Sequence, residues 1–372
     1  MERIATTDVA VVGGGVIGLS VAWQAAAEGH RVTLVDPAPG RGASWVAGGM
    51  LAPITEAWPG EEDVLRLGER SLRGWPAFAQ RLAADGTDPG LCTTGTVVLA
   101  VDRADAEQLE ILAGYLRSLD REVEALTGTR ARRLEPGLGS VRSGLLVPGD
   151  LAVDNRKLLC ALRRAGEHRG VRFVEEEALE LAPGVVRTAE RELACDAVVL
   201  SAGAWSGRLH AALATAVHPL KGEILRLRAR RGSLPPPRRT VRALVEGRPI
   251  YLVPRDGGEL VLGATQYEAG FDRTVTARGV RELLEGAERV FPSIAEYELV
   301  ESAAGLRAAS VDNLPFLGEL EPGVYAATGH HRNGLLLAPV TADAVVAWLA
   351  GAPPPEEIGD AHPDRLRSEE RV

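Results

Sequence analysis

Three glycines and an acid are the first residues whose types and spacing could do chemistry: Gly13, Gly15, Gly18 and Asp36. In a Gly-x-Gly-x-x-Gly run the first glycine makes a tight turn, the second lets backbone approach a pyrophosphate, and the third lets a helix pack closely on a strand. Helix N-terminal N–H groups supply the anion site, and the acid bonds a ribose hydroxyl. An acid at residue 36 rather than a base favours an unphosphorylated ribose, which suits FAD or NAD better than NADP; the motif does not separate those two. A few positions on lies a run of small residues, Gly42-Ala43-Ser44-Trp45-Val46-Ala47-Gly48-Gly49-Met50. Small side chains let backbone lie close to a flat ring, although a flexible interdomain linker has the same composition. Near the other end, Gly329-His330-His331-Arg332-Asn333-Gly334 follows one apolar run and precedes another. A helix or turn N-terminus there would stabilise the negative charge that develops at the pyrimidine edge of a flavin on reduction.

The elements that must position these residues follow from the pattern. Asp8 to Val12 is a β-rich run, Val16 to Ala27 carries apolar and small residues at helical spacing until Gly29 stops it, and Arg31 to Val35 is a second β-branched run ending at Asp36. Strand, turn, helix and strand in this order make a right-handed βαβ unit. Ala197 to Leu200 and Val324 to Ala327 are further short apolar strands, each running into a glycine, Gly203 or Gly329. They are expected to join the first strand in one parallel sheet assembled from three separate pieces of chain. Elsewhere Gly95 to Val101, Glu223 to Leu227, Ile250 to Pro254 and Glu259 to Ala264 suggest an antiparallel sheet, with Arg255-Asp256-Gly257-Gly258 as a turn. Helices are expected over Arg103 to Leu119, Arg156 to Arg169 and Ala277 to Phe291. The predicted fold is therefore α/β, a discontinuous Rossmann-like nucleotide-binding domain (1–85, 149–217 and 303–372) with an inserted, mainly antiparallel substrate domain (86–148 and 218–302). The tail from Gly351, rich in proline and charge, is expected to be poorly ordered.

Composition narrows the function classes. The chain has 372 residues, 42 basic and 51 acidic, for a net charge of −9. With no long Lys/Arg block, that balance argues against nucleic acid or an anionic membrane as the main partner. The basic cluster from Arg226 to Arg239 suits a solvated loop beside a strand. Cys92, Cys160 and Cys195 lack disulfide or CxxC spacing and suit a reducing cytoplasm, so a cytoplasmic location is expected. The N-terminus MERIATTD runs into an apolar stretch too short for a signal sequence. No apolar stretch reaches the ~20 residues of a membrane span. His330 and His331 titrate near neutrality when unperturbed, but no metal-ligand spacing accompanies them and no metal is expected. Packing or stacking is the favoured role for both, and His218 is treated as structural.

Over nearly its whole length the sequence resembles the glycine oxidases of thiamine biosynthesis, within the D-amino acid oxidase group of FAD-dependent amine oxidases. The stretches that carry the resemblance are VVGGGVIGLS, ASWVAGGMLAP, VVLSAGAWS, PLKGE, YLVPR, LVLGAT, GLRAASVDNLPFLG and ATGHHRNGLLLAP. The resemblance implies noncovalent FAD, two-electron oxidation of a glycine-like amine to an imine, and reoxidation by O2 to give hydrogen peroxide. It implies that Arg307 holds the substrate carboxylate, for which a guanidinium fork is the natural bidentate partner. Arg332 matches a position near the substrate, and Tyr251 a tyrosine that faces it from the second sheet. For the cofactor it implies contacts from Gly13, Gly15, Val16, Ile17 and Gly18, from Asp36 and Pro37, and from Ala43, Ser44, Gly48, Gly49 and Met50. Further contacts are implied from Leu179, from Gly203 in Ser201 to Gly203, and from His330, His331, Arg332, Asn333, Gly334, Leu335 and Leu336. It also implies a homotetramer.

Two departures from the family pattern stand out. Gln266 replaces a methionine that lines the substrate pocket in some members, so a more polar pocket is expected. No cysteine occupies GLRAASVDNLPFLG, where sarcosine oxidases attach their flavin. A dehydrogenase passing electrons to a quinone or partner protein shares the same marks; Arg307, Tyr251 and Arg332 together argue against a noncatalytic FAD-binding subunit, which need not keep a carboxylate anchor. Sarcosine, proline and small D-amino acids stay open as substrates beside glycine.

Overall fold

The computed structural model describes residues 2, 3 and 7–365. Of the expectations above, those for Met1, for residues 4–6 of the N-terminal stretch and for 366–372 of the tail lie outside the described residues.

The first sheet is built on parallel strands from distant parts of the chain. Arg172–Val174 pairs with Val32–Val35, which pairs with Thr7–Val12; Thr7–Val12 pairs with Arg191–Leu200, and that strand with Val324–Thr328. The short parallel strand Glu2–Arg3 and three antiparallel strands finish the nine-stranded sheet, including Phe316–Glu321 against Val324–Thr328. Alternate residues of the central strands serve opposite faces. Val9, Val11 and Val199 pack against helices, whereas Ala10, Val12, Val198 and Leu200 pack against the hairpins and the Phe316 strand. With both faces covered, these strands are continuously apolar, as burial in a parallel sheet requires. Helices Val16–Ala27 and Gly334–Leu349, apolar around their circumference, are buried on most sides.

A long helix, Glu62–Ala84, was not expected from sequence. It ties itself to the last helix: Ser71 Oγ and Trp75 Nε1 both donate to the Leu336 carbonyl, at 2.6 and 2.9 Å. Pro339 lies inside that last helix and cannot donate an N–H, so the helical bond to the Leu335 carbonyl is missing, and at the next carbonyl, Leu336, the neighbouring helix joins through its side chains.

The second sheet has eight strands in the order Glu298–Ser310, Val217–Arg228, Glu259–Gly263, Arg248–Pro254, Thr240–Val245, Thr96–Ala100, Ser143–Val147 and Glu124–Thr127. It is antiparallel except where Thr240–Val245 runs parallel to Thr96–Ala100. One face packs on helix Ala277–Val290 through Leu283, Ala287 and Val290, and the other turns Tyr251, Ile224 and Val253 toward Val46 and Met50. The strand Glu298–Ser310 runs through residue 303, where the chain was expected to change domain, and stays in the second sheet to Ser310.

The tail differs from expectation as far as residue 365. Glu356–Ala361 forms a 3₁₀ turn whose Ile358 and Ala361 are buried, and ion pairs fix it: Arg66 with Asp360, and Arg365 Nε with Asp312 Oδ2 at 2.7 Å. Among the described residues no helix is long and apolar enough to cross a membrane.

Candidate active site

The glycine turn has the contacts its spacing demands. A methyl group on Gly18 would lie 1.8 Å from the Gly13 carbonyl oxygen, and one on Gly13 would lie 2.3 Å from the Ser201 carbonyl. Gly13 also has φ +106°, a conformation that favours glycine. Asp36 Oδ2 accepts from the Gly14 N–H at 2.7 Å and Oδ1 from the Ala38 N–H at 2.7 Å. Each oxygen keeps a lone pair for a hydroxyl. Above the turn lies a cleft of about 150 Å³ lined by Gly13, Gly15, Val16, Ile17 and Asp36 from the first βαβ unit, by Ser201 to Trp205, and by Ala327 to His331. Gly42 and Gly203 also line it, and a methyl on either would meet nothing within 4 Å. Anion-binding backbone, a carboxylate for a ribose and walls of small residues fit the FAD that the sequence implies.

The small-residue run forms the wall between this cleft and a second one. Asn155 Nδ2 donates to the carbonyls of Ser44 and Trp45, both at 2.9 Å, Arg255 Nη2 donates to the Gly48 carbonyl at 2.6 Å, and the Val16 N–H donates to Ser44 Oγ at 3.1 Å. Asn155 and Arg255 were not singled out from sequence; side-chain bonds to a distant backbone leave no local signal. The run is therefore a fastened segment and not a flexible linker.

The second cleft, about 220 Å³, lies between the small-residue run and the second sheet. Ala43, Ser44, Arg307, His331 and Gly334 line both clefts, so the two are contiguous. Tyr251 stands in the second cleft with its ring between two glycines: a methyl on Gly48 would lie 2.6 Å from Cε2, and one on Gly263 would lie 2.3 Å from Cζ. Burial raises the Tyr251 hydroxyl above its ordinary pKa, so it is a hydrogen-bond donor at neutral pH.

Arg307 projects into the same cleft. Its Nη1 donates to the Thr265 carbonyl at 3.3 Å, and among the described residues no carboxylate lies within ion-pair distance. Burial lowers its pKa from the ordinary arginine value, the mark of a cation short of counter-charge. The other arginines here are paired. Arg332 Nε meets Glu56 Oε2 at 3.2 Å and its Nη2 meets Glu61 Oε2 at 2.8 Å, while Arg242 Nη1 meets Glu56 Oε1 at 3.3 Å. Glu56 and Arg242 were missed in sequence, because nothing local joins residues so far apart.

His331 takes a left-handed backbone conformation, φ 47°, at the junction of the clefts. Burial, then the neighbouring Arg332 and Arg307, push its imidazole down to about 3, so it is neutral at ordinary pH. Arg332 Nη1 approaches its Nδ1 at 3.5 Å, which leaves the proton on Nε2, a buried atom without a partner among the described residues. Burial also pushes His330 down to about 3, and its Nε2 is bonded to Thr341 Oγ1 at 3.0 Å.

Most of the expected contact residues meet in these two clefts: Ala43, Ser44, Gly48, Gly49, Met50, Gly203, His330, His331, Arg332, Gly334 and Leu335 with the first glycines and Asp36. Gly18, Pro37, Asn333, Leu336 and Leu179 line neither. Gly18 packs helix on strand, Asn333 donates its N–H to the His330 carbonyl at 2.9 Å, and Leu336 receives the long helix. Leu179 is 53% exposed; instead Val174 reaches the acid end of the glycine turn, its carbonyl accepting the Asp36 N–H at 3.1 Å. Gln266 lines the second cleft and gives it a polar wall.

Comparison with known proteins places these clefts in context. The family model described as FAD dependent oxidoreductase matches residues 8–348. A glycine oxidase of Geobacillus kaustophilus is 35% identical over 347 residues, 90% of each chain. A Rhizobium etli protein that carries the name thiamine biosynthesis oxidoreductase is 36% identical over 346 residues, 92% of this chain and 96% of that one. The crystal structure of the Geobacillus glycine oxidase superposes with a TM-score of 0.88 at 33% identity, covering 97% of this chain and 98% of that one.

Proposed function

The chain belongs to the family of FAD-dependent oxidoreductases, and from that premise we propose that it oxidises glycine to the imine, with O2 reduced to hydrogen peroxide. The single observation that carries this reading is Arg307: a half-buried guanidinium, without a carboxylate partner among the described residues, in a small cleft contiguous with the cofactor cleft. Such a group is a receptor for the carboxylate of a small amino acid.

FAD, when bound, supplies the hydride acceptor and passes the electrons to oxygen. The chain's own residues orient the substrate. Arg307 holds the carboxylate through paired N–H donors, and the protonated Tyr251 hydroxyl adds a donor from the second sheet. Oxidation requires the amine neutral, so the ammonium proton leaves to water before reaction; orientation then carries most of the catalysis, with no strong base beside the carbon. Gly334 opens helix Gly334–Leu349 at the junction of the clefts, and its N-terminal end favours negative charge there. Arg332, tied to Glu56 and Glu61, closes one side of the cleft. The cofactor contacts named from the sequence, Leu179 apart, form part of this reading.

The product imine supplies thiazole synthesis for thiamine or hydrolyses to glyoxylate. The name of the Rhizobium etli relative supports that role. A nucleotide-binding unit of 1–85, 149–217 and 311–372 with a substrate unit of 86–148 and 218–310, the boundary expected at 303 being moved past the end of strand Glu298–Ser310, a homotetramer and a cytoplasmic location complete the reading.

The test is an absorbance spectrum of the purified protein, followed by glycine without oxygen and then by air, with peroxide assayed after the air step. Flavin bands that bleach with glycine and return with peroxide are expected. Bands that do not bleach overturn glycine as substrate, and bleaching without return in air overturns oxygen as acceptor.

A further inference from the structure

The second cleft contains more positive charge than one small carboxylate needs. Arg307, Arg242 and Arg332 all line it, from three different parts of the chain. Glu56 lines it too, and its two oxygens are divided, Oε1 to Arg242 Nη1 at 3.3 Å and Oε2 to Arg332 Nε at 3.2 Å. Glu61 takes the remaining reach of Arg332 at 2.8 Å. The same Arg242 Nη1 also donates to Thr55 Oγ1 at 3.1 Å, and that hydroxyl donates to buried Asp150 at 2.8 Å. Charges therefore alternate along the wall from Glu61 through Arg332 and Glu56 to Arg242. Arg307 alone stands outside this pairing, yet it is close enough to Glu56 for that carboxylate to favour its charged form.

We propose that Glu56 is the residue that sets substrate specificity, by cancelling a second anion site formed by Arg242 and Arg332 so that the cleft accepts amino acids with one carboxylate and rejects those with two. A second carboxylate entering the cleft meets guanidinium groups already satisfied and the negative charge of Glu56. Like charge against a desolvated carboxylate is a discriminating repulsion, and specificity of this kind rests on what is rejected as much as on what is held. The inference rests on the reading of Arg307 as the carboxylate anchor. It adds that a variant lacking the Glu56 charge gains a receptor for dicarboxylates, such as glycine carrying a carboxymethyl group on nitrogen.

The experiment uses the FAD-loaded protein and two unreactive probes, acetate and malonate, with binding followed by perturbation of the flavin absorbance. The native protein is expected to bind acetate at least about tenfold more tightly than malonate. Glu56→Gln is expected to reverse that order, and Glu56→Gln with Arg242→Met to restore it. Turnover of iminodiacetate relative to glycine should rise in parallel in Glu56→Gln. An acetate-to-malonate ratio that stays within about twofold of native in Glu56→Gln overturns the proposal. If that variant fails to hold flavin, Arg242→Met alone decides: it leaves Glu56 under-neutralised, so malonate should weaken about tenfold more than acetate, and equal weakening overturns the proposal. Failure of the glycine reading is distinguishable, because probe binding does not depend on turnover; loss of carboxylate binding in Arg307→Ala checks the anchor separately.

Discussion

The Arg307 guanidinium fills the space that a side chain at Gly222 would need: a methyl there would lie 2.5 Å from Nη1 and 2.6 Å from Cζ. Gly222 pairs across the sheet with Gly305, where a methyl would instead crowd Val46 and Ala43 of the small-residue run, so one glycine makes room for the arginine and the other for the wall beside it. The anchor is thus placed by what its neighbouring strand lacks. Arg307→Lys keeps the charge but loses the planar fork. We expect flavin content unchanged and kcat/KM for glycine reduced about 100-fold, as for removal of a charged hydrogen bond made to a desolvated group. Gly222→Ala should cause a comparable loss by displacing the guanidinium, without touching a charge. Steady-state kinetics beside visible spectra check both.

Gly18→Ala places a methyl 1.8 Å from a backbone oxygen that cannot yield cheaply. Helix Val16–Ala27 must then separate from the glycine turn beneath the cofactor cleft. The expected outcome is protein purified with little flavin, measured as the ratio of visible to protein absorbance; a fully yellow variant would contradict the close packing.

His331 and His330 are both pushed down to about 3 from an ordinary value of 6.5. Between those limits the unfolded chain binds protons that the folded chain excludes, so stability falls as pH falls from about 6.5 toward 3. His331→Phe removes one such group. Its melting temperature should decline less than native between pH 7 and pH 5, and parallel declines would show that His331 does not contribute.

Asp150 has the opposite sign. Burial pushes its carboxyl up to about 7 from 3.8, against the opposing Thr55 hydrogen bond and Arg242 charge. The folded chain then holds a proton that the unfolded chain has released, and stability is lost as pH rises from about 4 to 7. Asp150→Asn preserves the acceptor for Thr55 without that penalty. Thermal melts should show the variant gaining on the native protein at pH 8 and not at pH 4.

The elements were legible where local chemistry dictates them. Thr7–Val12 and Val32–Val35 are β-branched and flank glycines that only a tight turn explains, and Val16–Ala27 is apolar on every side because it is buried on most of them. Helix Glu62–Ala84 was hidden by Gly68, Gly74 and Pro76, which resemble breakers although the apolar stripe through Leu67, Ser71, Trp75 and Phe78 survives them. Glu56 and Arg242 take their meaning only from being folded together. Leu179 is exposed and lines neither cleft, and the short, unmarked strands near it carry no local sign of that; the backbone bond to Asp36 in this region comes from Val174. The tail was judged by its prolines, and Ile358 and Ala361 beyond them carry the packing.

The parallel sheet that frames the cofactor cleft draws on residues 7–12, 32–35, 172–174, 191–200 and 324–328. On the ribosome, therefore, the glycine turn emerges early but its far wall comes last. Until the strand Val324–Thr328 and helix Gly334–Leu349 have been synthesised, Val198 to Leu200 lack the second of their two partner strands and Val16–Ala27 lacks its companion helix. Bringing such distant segments together is entropically costly and slow. Cofactor capture then becomes a closing event of biosynthesis, and a chain released before its last helix would expose an apolar sheet edge instead of a flavin site.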